Sequence, residues 1–442
     1  MPHGEPILQW PMTAAAARRT IRAWMMYDFA NSAFSAIVQA TVFPAYYANV
    51  VVGNANGRGD FWWGALVSLS MVLVALSSPL LGGIADHAGV RKPLFVSLTL
   101  LSVVATALLA TVGPGMVLTG FALGVVALVT YEAAIVYYNS YLPLLAPPGE
   151  LGRVSARGFA VGYAGSIVAF LAAWPFAASG RYGGCFVVAA ALFGVFSLPA
   201  FLALPADTVK RMPRRSALTR GVAQTMATLR EIVARPERTQ MRRFLLAYLV
   251  YEDGVNTVIS FSAVFAATTL GFAFTEIIAL FMVVQVTALI GSAALARATD
   301  VHGPRRVVTL TLVQWALVTL LAFFVTAKWE FWIVGVIAGL GLGAIQAASR
   351  TLMATLVPRD REAEFFGFYA LVGKTGAVLG PIVFGLVSRA MHGNQRAAII
   401  AVGGFFIIGL ALLSRVSAGG PTDLHGGPDM APKPPDARHA PA

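Results

Sequence analysis

Two stretches decide how this chain is read: Gly82-Gly83-Ile84-Ala85-Asp86-His87-Ala88-Gly89-Val90-Arg91-Lys92 and Ala296-Arg297-Ala298-Thr299-Asp300-Val301-His302-Gly303-Pro304-Arg305-Arg306. Each reads small-x-x-x-Asp-x-x-Gly-x-Arg-basic. Each also follows one long apolar run and precedes another. A polar hairpin that recurs once in each half of a hydrophobic chain points to a duplicated membrane protein, for which transport is the leading expectation.

Composition agrees. Of 442 residues, 57% are hydrophobic and 12% charged, against about a quarter charged in soluble domains. Twelve apolar segments follow by hydropathy: roughly 22–51, 61–84, 93–112, 115–142, 155–179, 183–204, 242–270, 275–296, 307–327, 330–356, 365–391 and 396–415. The fold expected is an all-α membrane protein of twelve transmembrane helices in two pseudo-symmetric six-helix bundles. Alternation in segments of about ten residues, the mark of a β-barrel, is absent from the sequence. The organisation expected is an N-terminal segment 1–21, a first bundle 22–204, a linker 205–241, a second bundle 242–415 and a disordered tail 416–442, which is rich in Pro, Gly and Asp. Arg18 and Arg19 precede the first run without a cleavage site, so that run reads as a span rather than a signal peptide.

With both termini in the cytoplasm, external loops hold Arg58, Arg181, Lys328, Arg389 and Arg396, Lys374 lies inside a span, and the rest of the 32 Lys and Arg fall inside. That asymmetry orients the chain and accounts for the net charge of +12 without nucleic acid. In the linker, Leu218, Val222, Met226, Leu229, Ile232 and Val233 recur at helical spacing among Arg214, Arg215, Arg220, Arg230 and Arg235. The favoured reading is a basic amphipathic helix on the anionic leaflet, and the alternative is a solvated helix packed on the protein. Cys185 stands alone in an apolar run and the six histidines show no ligand spacing, so no metal or cofactor is expected. Gly339-x-Gly341-x-Gly343 lies within a span and is no nucleotide fingerprint. With no nucleophile–base pair either, the chain is not read as an enzyme.

The duplication extends inward. Asp28-Phe29-Ala30-Asn31 and Asp253-Gly254-Val255-Asn256 are both Asp-x-x-Asn near the start of a half. Their offset exceeds that of Asp86 and Asp300 by about the length of the polar loop 52–60. Ionisable groups within spans are costly and mark a cavity or a partner. The site expected from them comprises Asp28, Asn31, Glu132, Asn139, Asp253, Asn256, Arg350 and Lys374. Asp28 lies ~9 Å and Lys374 ~13 Å into their spans at 1.5 Å per residue, which allows acid–base pairs across a central cavity. Of the adjacent Glu252 and Asp253, the repeat assigns the cavity to Asp253. Whether these acids carry protons or only pair structurally stays open at this level. Tyr137 and Tyr138 beside Asn139 are candidates to line a path or an interfacial belt. The hairpins supply a second set, a cytoplasmic gate of Gly82, Asp86, Gly89, Arg91, Lys92, Asp300, Gly303, Arg305 and Arg306. Glycines permit the turns and aspartates cap or pair at helix ends. Gly335, Gly339, Gly343 and Ala347, and then Gly376 and Gly380, read as close helix contacts. The Gly380-Pro381 step is a candidate kink.

The hairpin motif resembles the loop signature of the major facilitator superfamily. Trp24-x-x-Tyr27-Asp28-x-Ala30-Asn31-Ser32-Ala33-Phe34, Phe43-Pro44, Tyr138-Asn139-x-Tyr141-Leu142-Pro143, Arg153-Val154-Ser155-x-x-Gly158 and Gly162-Tyr163 resemble the vacuole-effluxer family within it. So do Tyr251-x-Asp253-Gly254-Val255-Asn256-Thr257, Gln346-x-x-Ser349-Arg350, Glu364-Phe365-Phe366-Gly367-Phe368-Tyr369, Gly373-Lys374 and Gly380-Pro381. The resemblance, over roughly 22–385, implies a secondary transporter working by alternating access. A fungal relative, the autophagy-related vacuolar exporter, implies amino-acid export. The expected protein is a multi-pass, monomeric protein of the bacterial inner membrane whose partners are a small solute, a proton as candidate coupling ion, and lipid. The alternatives are an exporter of lipid or drug-like amphiphiles and a non-transporting scaffold or sensor.

Overall fold

The structure is a computed structural model and describes residues 14–53, 58–146, 149–206, 225–358, 361–375, 379–392 and 394–417. The regular elements among them are helices. In the first half these are α1 (Ala14–Phe34), α2 (Arg58–Ala88), α3 (Arg91–Leu108), α4 (Val117–Ser140), α5 (Leu151–Ala178) and α6 (Tyr182–Ala203). The second half holds α7 (Thr239–Thr268), α8 (Phe274–His302), α9 (Pro304–Phe324), α10 (Lys328–Leu356), α11 (Glu362–Thr375), α12 (Leu379–Ala390) and α13 (Gln395–Leu413). In the eleventh apolar segment the described residues are α11 and α12, with Gly380 in the first turn of α12, and residues 376–378 lie outside them.

Ten of the described spans are long and apolar enough to cross a membrane. Their outer surfaces carry large apolar side chains open to the surroundings, such as Leu202 at 82% and Leu76 at 74% exposure. Water would penalise that arrangement and hydrocarbon does not. The first span runs on from α1 through two widened π-type stretches, Ser35–Thr41 and Tyr47–Val52, on either side of Val42–Tyr46. Pro44 lies between them and supplies no N–H to the ladder. Phe43 there packs against Trp63 and Phe186.

Several helices outrun their apolar segments. α1 begins at Ala14 and α8 continues to His302, because hydropathy marks where a helix meets lipid and not where its hydrogen bonds end. The hairpins turn at Gly89 (φ +61°) and Gly303 (φ +84°), a backbone region open mainly to glycine. Pro304 then opens α9 at its first position, where a missing N–H costs nothing.

The packing repeats as the sequence does. α1 lies on α6 and α7 on α13, while α3 lies on α4 and α9 on α10. The halves meet through α2 against α11 and through α5 against α8. The fifth segment of each half therefore rests on the second segment of the other.

The linker yields a helix over 225–234. Thr228 and Ile232 are buried while Met226, Leu229 and Val233 are exposed. Within the described residues, one face of the linker helix is docked on the protein and an apolar edge is left outward. The expected Leu218 and Val222, with Arg214, Arg215 and Arg220, lie outside the described residues, as does the tail beyond 417.

Candidate functional site

The hairpin end of the molecule is tied across the halves twice, in the same way. Asp86, at the end of α2, accepts hydrogen bonds from the backbone N–H groups of Ala363 (3.3 Å) and Glu364 (2.8 Å) in the first turn of α11. Asp300, near the end of α8, accepts from the N–H groups of Gly152 (2.6 Å) and Arg153 (3.1 Å) in the first turn of α5. Those N–H groups have no partner within their own helices, and they form the positive end of each helix dipole. Arg91 donates to Asp86 at 2.7 Å and to Glu362 at 3.1 Å, and Arg153 donates through Nε to Asp300 at 2.9 Å. Gly82 is pressed so close to α11 that a Cβ there would sit 2.3 Å from the Ala363 carbonyl oxygen. The following basic residues fasten each hairpin within its own half. Lys92 donates to the Leu204 carbonyl at 2.6 Å, after α6, and Arg305 to the Ser414 carbonyl at 2.8 Å, after α13. Arg306 is exposed.

The linker helix covers one of these ties. Thr228 hydrogen-bonds Glu364, Arg361 donates to Glu231 at 2.8 Å and to Glu364 at 2.9 Å, and Thr225 donates to the Pro79 carbonyl at 3.4 Å. Arg238 also donates to Glu231, at 2.7 Å. Partial burial pushes the Glu231 carboxyl up, but the hydrogen bonds from Arg361 and Arg238 outweigh it, and its pKa is lowered overall.

Deeper in, Arg350 of α10 reaches into the first half. Its Nη1 and Nη2 stand 3.3 Å from Asp28 Oδ2, its Nε donates to Ser155 Oγ at 3.0 Å, and its Nη2 donates to the Ser155 carbonyl at 2.6 Å. Nη1 also approaches Asn139 Oδ1 at 3.4 Å, and Asn31 donates to Asp28 Oδ1 at 3.4 Å. The guanidinium lies 4.0 Å from the Phe159 ring centre and 4.9 Å from that of Trp24, so its faces meet π-systems and its edge meets oxygens. Gly158 makes room for the pair, since a Cβ there would stand 2.4 Å from Asp28 Oδ2 and 2.9 Å from Arg350 Nη2.

Further from the hairpins, Lys374 of α11 donates to Glu132 Oε1 at 2.6 Å, and Gln39 donates to the same oxygen at 2.8 Å. The Lys374 side chain is 30% exposed and that of Glu132 is 7%, so the amine is the accessible member. Glu252 is buried and accepts from Gln346 at 3.0 Å.

The structure therefore brings Asp28, Asn31, Asn139 and Arg350 into one cluster and Glu132 and Lys374 into another. Asp253 is placed elsewhere. It is buried within the second half and accepts from the Gly380 N–H at 2.8 Å, because Gly380 lets the start of α12 approach α7. Asn256 is half-buried on α7. Sequence reasoning about buried charge missed Gln39, Ser155, Gly158, Glu362 and the rings of Trp24 and Phe159, since none is an ionisable group deep in a span. Ser155 and Gly158 carried a signal only as part of Arg153-Val154-Ser155-x-x-Gly158.

Comparison with known proteins bears on the family and the fold. Over 417 residues, 91% of this chain and 96% of the relative, the sequence is 28% identical to YxiO of Bacillus subtilis, an uncharacterized MFS-type transporter. It is 23% identical over 438 residues to autophagy-related protein 22-1 of Aspergillus niger, covering 78% of this chain and 71% of that one. The fold is that of the human organic anion transporter MFSD10 (TM-score 0.72, 16% identity, 90% of this chain and 99% of that one). It also matches a bacterial homologue of the iron transporter ferroportin in an outward-facing state (TM-score 0.68, 13% identity, 91% and 99%). The profile of the vacuole effluxer Atg22-like proteins matches residues 64–419, and the chain belongs to that family, with the major facilitator fold.

Proposed function

We propose that this transporter moves a small polar or zwitterionic solute by alternating access, and that the arrangement described is its state closed on the hairpin side. The observation that carries this reading is the run of hydrogen bonds between the halves. It starts at Asp86 and Asp300, passes through Arg350 and Asp28, and ends at the partly exposed Lys374 with Glu132. Alternation requires ties that are ionic and matched across a pseudo-symmetric seam, so that rocking one half against the other breaks and remakes them as a set. The excess of Lys and Arg on the hairpin side supports placing that side in the cytoplasm of a bacterial inner membrane, with both termini there.

Lys374 and Glu132 are the groups proposed to meet the solute. A zwitterion offers a carboxylate to the amine and an ammonium to the acid, and so replaces their mutual bond without leaving a buried charge unpaired. Membership of the vacuole effluxer family, whose fungal exporter the sequence resembles, makes amino acids the first solutes to try. A proton is the proposed coupling ion. Its candidate carriers are Glu252 and Asp253, which hydrogen-bond an amide side chain and a backbone N–H.

The test is uptake of labelled amino acids into proteoliposomes under an imposed pH gradient. Flux should follow the gradient, fall in Lys374→Ala and lose its pH dependence in Asp253→Asn or Glu252→Gln. Gradient-independent flux would remove the proton. Flux of no zwitterion, with transport of an apolar amphiphile instead, would overturn the cargo class.

A further inference from the structure

The linker helix 225–234 has two faces, and the seam between the halves accounts for one of them. The inner face holds the tie at α11. Thr228 hydrogen-bonds Glu364, Glu231 accepts from Arg361, and Ile232 is buried. The outer edge carries Met226 at 48%, Leu229 at 39% and Val233 at 58% exposure. Arg230 stands on the helix beside them and Arg235 follows its last turn, both exposed. Neither forms an ion pair among the described residues, and Glu231 is already taken by Arg361 and Arg238. Residues 225–243 hold five arginines against Glu231 and Glu237.

The contacts at its two ends fix the level of this helix. At its start, Thr225 donates to the Pro79 carbonyl of α2 at 3.4 Å, and its Oγ1 would lie 3.5 Å from a Cβ on Gly83. Leu76, one turn before Pro79, is 74% exposed, and Val72 and Leu73 are open on the same stretch of α2. At its end, Arg242 in the first turn of α7 donates to the Val233 carbonyl, and Leu246, one turn further along α7, is 50% exposed. Open leucines of this kind belong in hydrocarbon. The linker helix therefore runs along the rim of the hydrocarbon layer. An apolar edge at that level enters the acyl boundary, and unpaired guanidiniums beside it meet phosphates. The pairing of the two fits an anionic leaflet and neither water nor a neutral surface.

We propose that anionic phospholipid of the hairpin-side leaflet binds this outer edge and thereby holds the linker helix on the tie between Asp86 and α11. Phosphates pair with Arg230 and Arg235, and the acyl boundary takes Met226, Leu229 and Val233. With the outer edge held, Thr228 and Glu231 stay on Glu364 and Arg361, in the turn whose N–H groups Asp86 caps. Anionic lipid then favours the state closed on the hairpin side, by its greater affinity for the seated helix. That last step rests on the gate proposed above, whereas the lipid contact does not.

The experiment is hydrogen exchange of the full-length protein in nanodiscs of phosphatidylcholine alone or mixed equally with phosphatidylglycerol. No solute or gradient is present, so the outcome is independent of whether flux follows the proposed cargo. Phosphatidylglycerol should slow exchange in 225–234 by about fivefold for each arginine engaged, the worth of one basic residue near an anionic surface. The amides of Ala363 and Glu364 should slow in step. Arg230→Gln with Arg235→Gln, both at exposed positions, should abolish the difference between the lipids and leave the phosphatidylcholine rates unchanged. Soluble glycerol phosphate added to phosphatidylcholine nanodiscs should protect nothing. Equal rates in the two lipids, a lipid effect that survives the double variant, or protection by the soluble phosphate would overturn the membrane contact. Protection of 225–234 with no change at Ala363 and Glu364 would overturn its hold on the tie.

Discussion

Arg350 and Asp28 come from opposite halves of the molecule, 322 residues apart, and meet at 3.3 Å with 3% and 8% of their side chains exposed. All the described hydrogen-bond partners of the Arg350 side chain belong to the first half. The guanidinium is a peg seated in the other domain.

Breaking such a pair from one side leaves a buried charge behind, a loss of about 3–5 kcal/mol. Asp28→Asn should lower the apparent melting temperature more than the double variant Asp28→Asn with Arg350→Met, which removes both charges. Thermal unfolding of the three proteins in one detergent checks this. A double variant no better than the single would show that the pairing matters less than the shape.

Gly158→Ala tests the same contact without touching charge. The added methyl meets Asp28 Oδ2 and the Trp24 ring, and overpacking of this kind costs about 1–3 kcal/mol. Gly404→Ala, where a Cβ would meet nothing within 4 Å, should be neutral in the same melting assay.

The two hairpin aspartates should act additively on the proposed gate. On a Cys185→Ser background, a cysteine replacing the buried Ala156 should react slowly with a maleimide. Asp86→Asn and Asp300→Asn should each speed the reaction, with the double variant fastest. Equal rates in all four proteins would deny both caps a gating role.

The linker clamp has a defined pH range. The Glu231 pKa is lowered from 4.5 in the folded protein, so the stability it contributes is present above the unfolded value and is lost as pH falls through the folded one. Hydrogen-exchange protection of 225–234, corrected for intrinsic rates, should hold from pH 7.5 to 5.5 and collapse only below about 4.5. Glu231→Gln should lower protection across that whole range.

The hairpins were legible because glycine and aspartate at fixed spacing turn the chain and cap a helix of the other half in both, although Arg91 pairs with Asp86 while Arg305 donates to the Ser414 carbonyl. The rotation of a helix about its axis was less legible. Asp253 repeats Asp28 in sequence, yet the glycine opposite it is Gly380, and that close approach turns its carboxylate into the second bundle. Asp28 instead faces Gly158, whose missing side chain admits Arg350. The same acid at equivalent positions is directed by which glycine faces it, and one chain read alone does not say which glycines are neighbours. The linker was half legible. Its helical period shows in the sequence, but Thr228, a weakly polar residue, marks the docked face because Glu364 waits there.

The crosswise caps carry a consequence for how this protein was assembled. Asp86 completes a helix that belongs to the second half, and Asp300 completes one that belongs to the first. Neither half is finished alone, since each caps a helix of the other and has one of its own helices capped in return. Two copies of a single ancestral half, facing each other across an axis, would satisfy every such need at once. Fusion into one chain would then require only a linker, and the seam between the halves would have begun as a dimer interface.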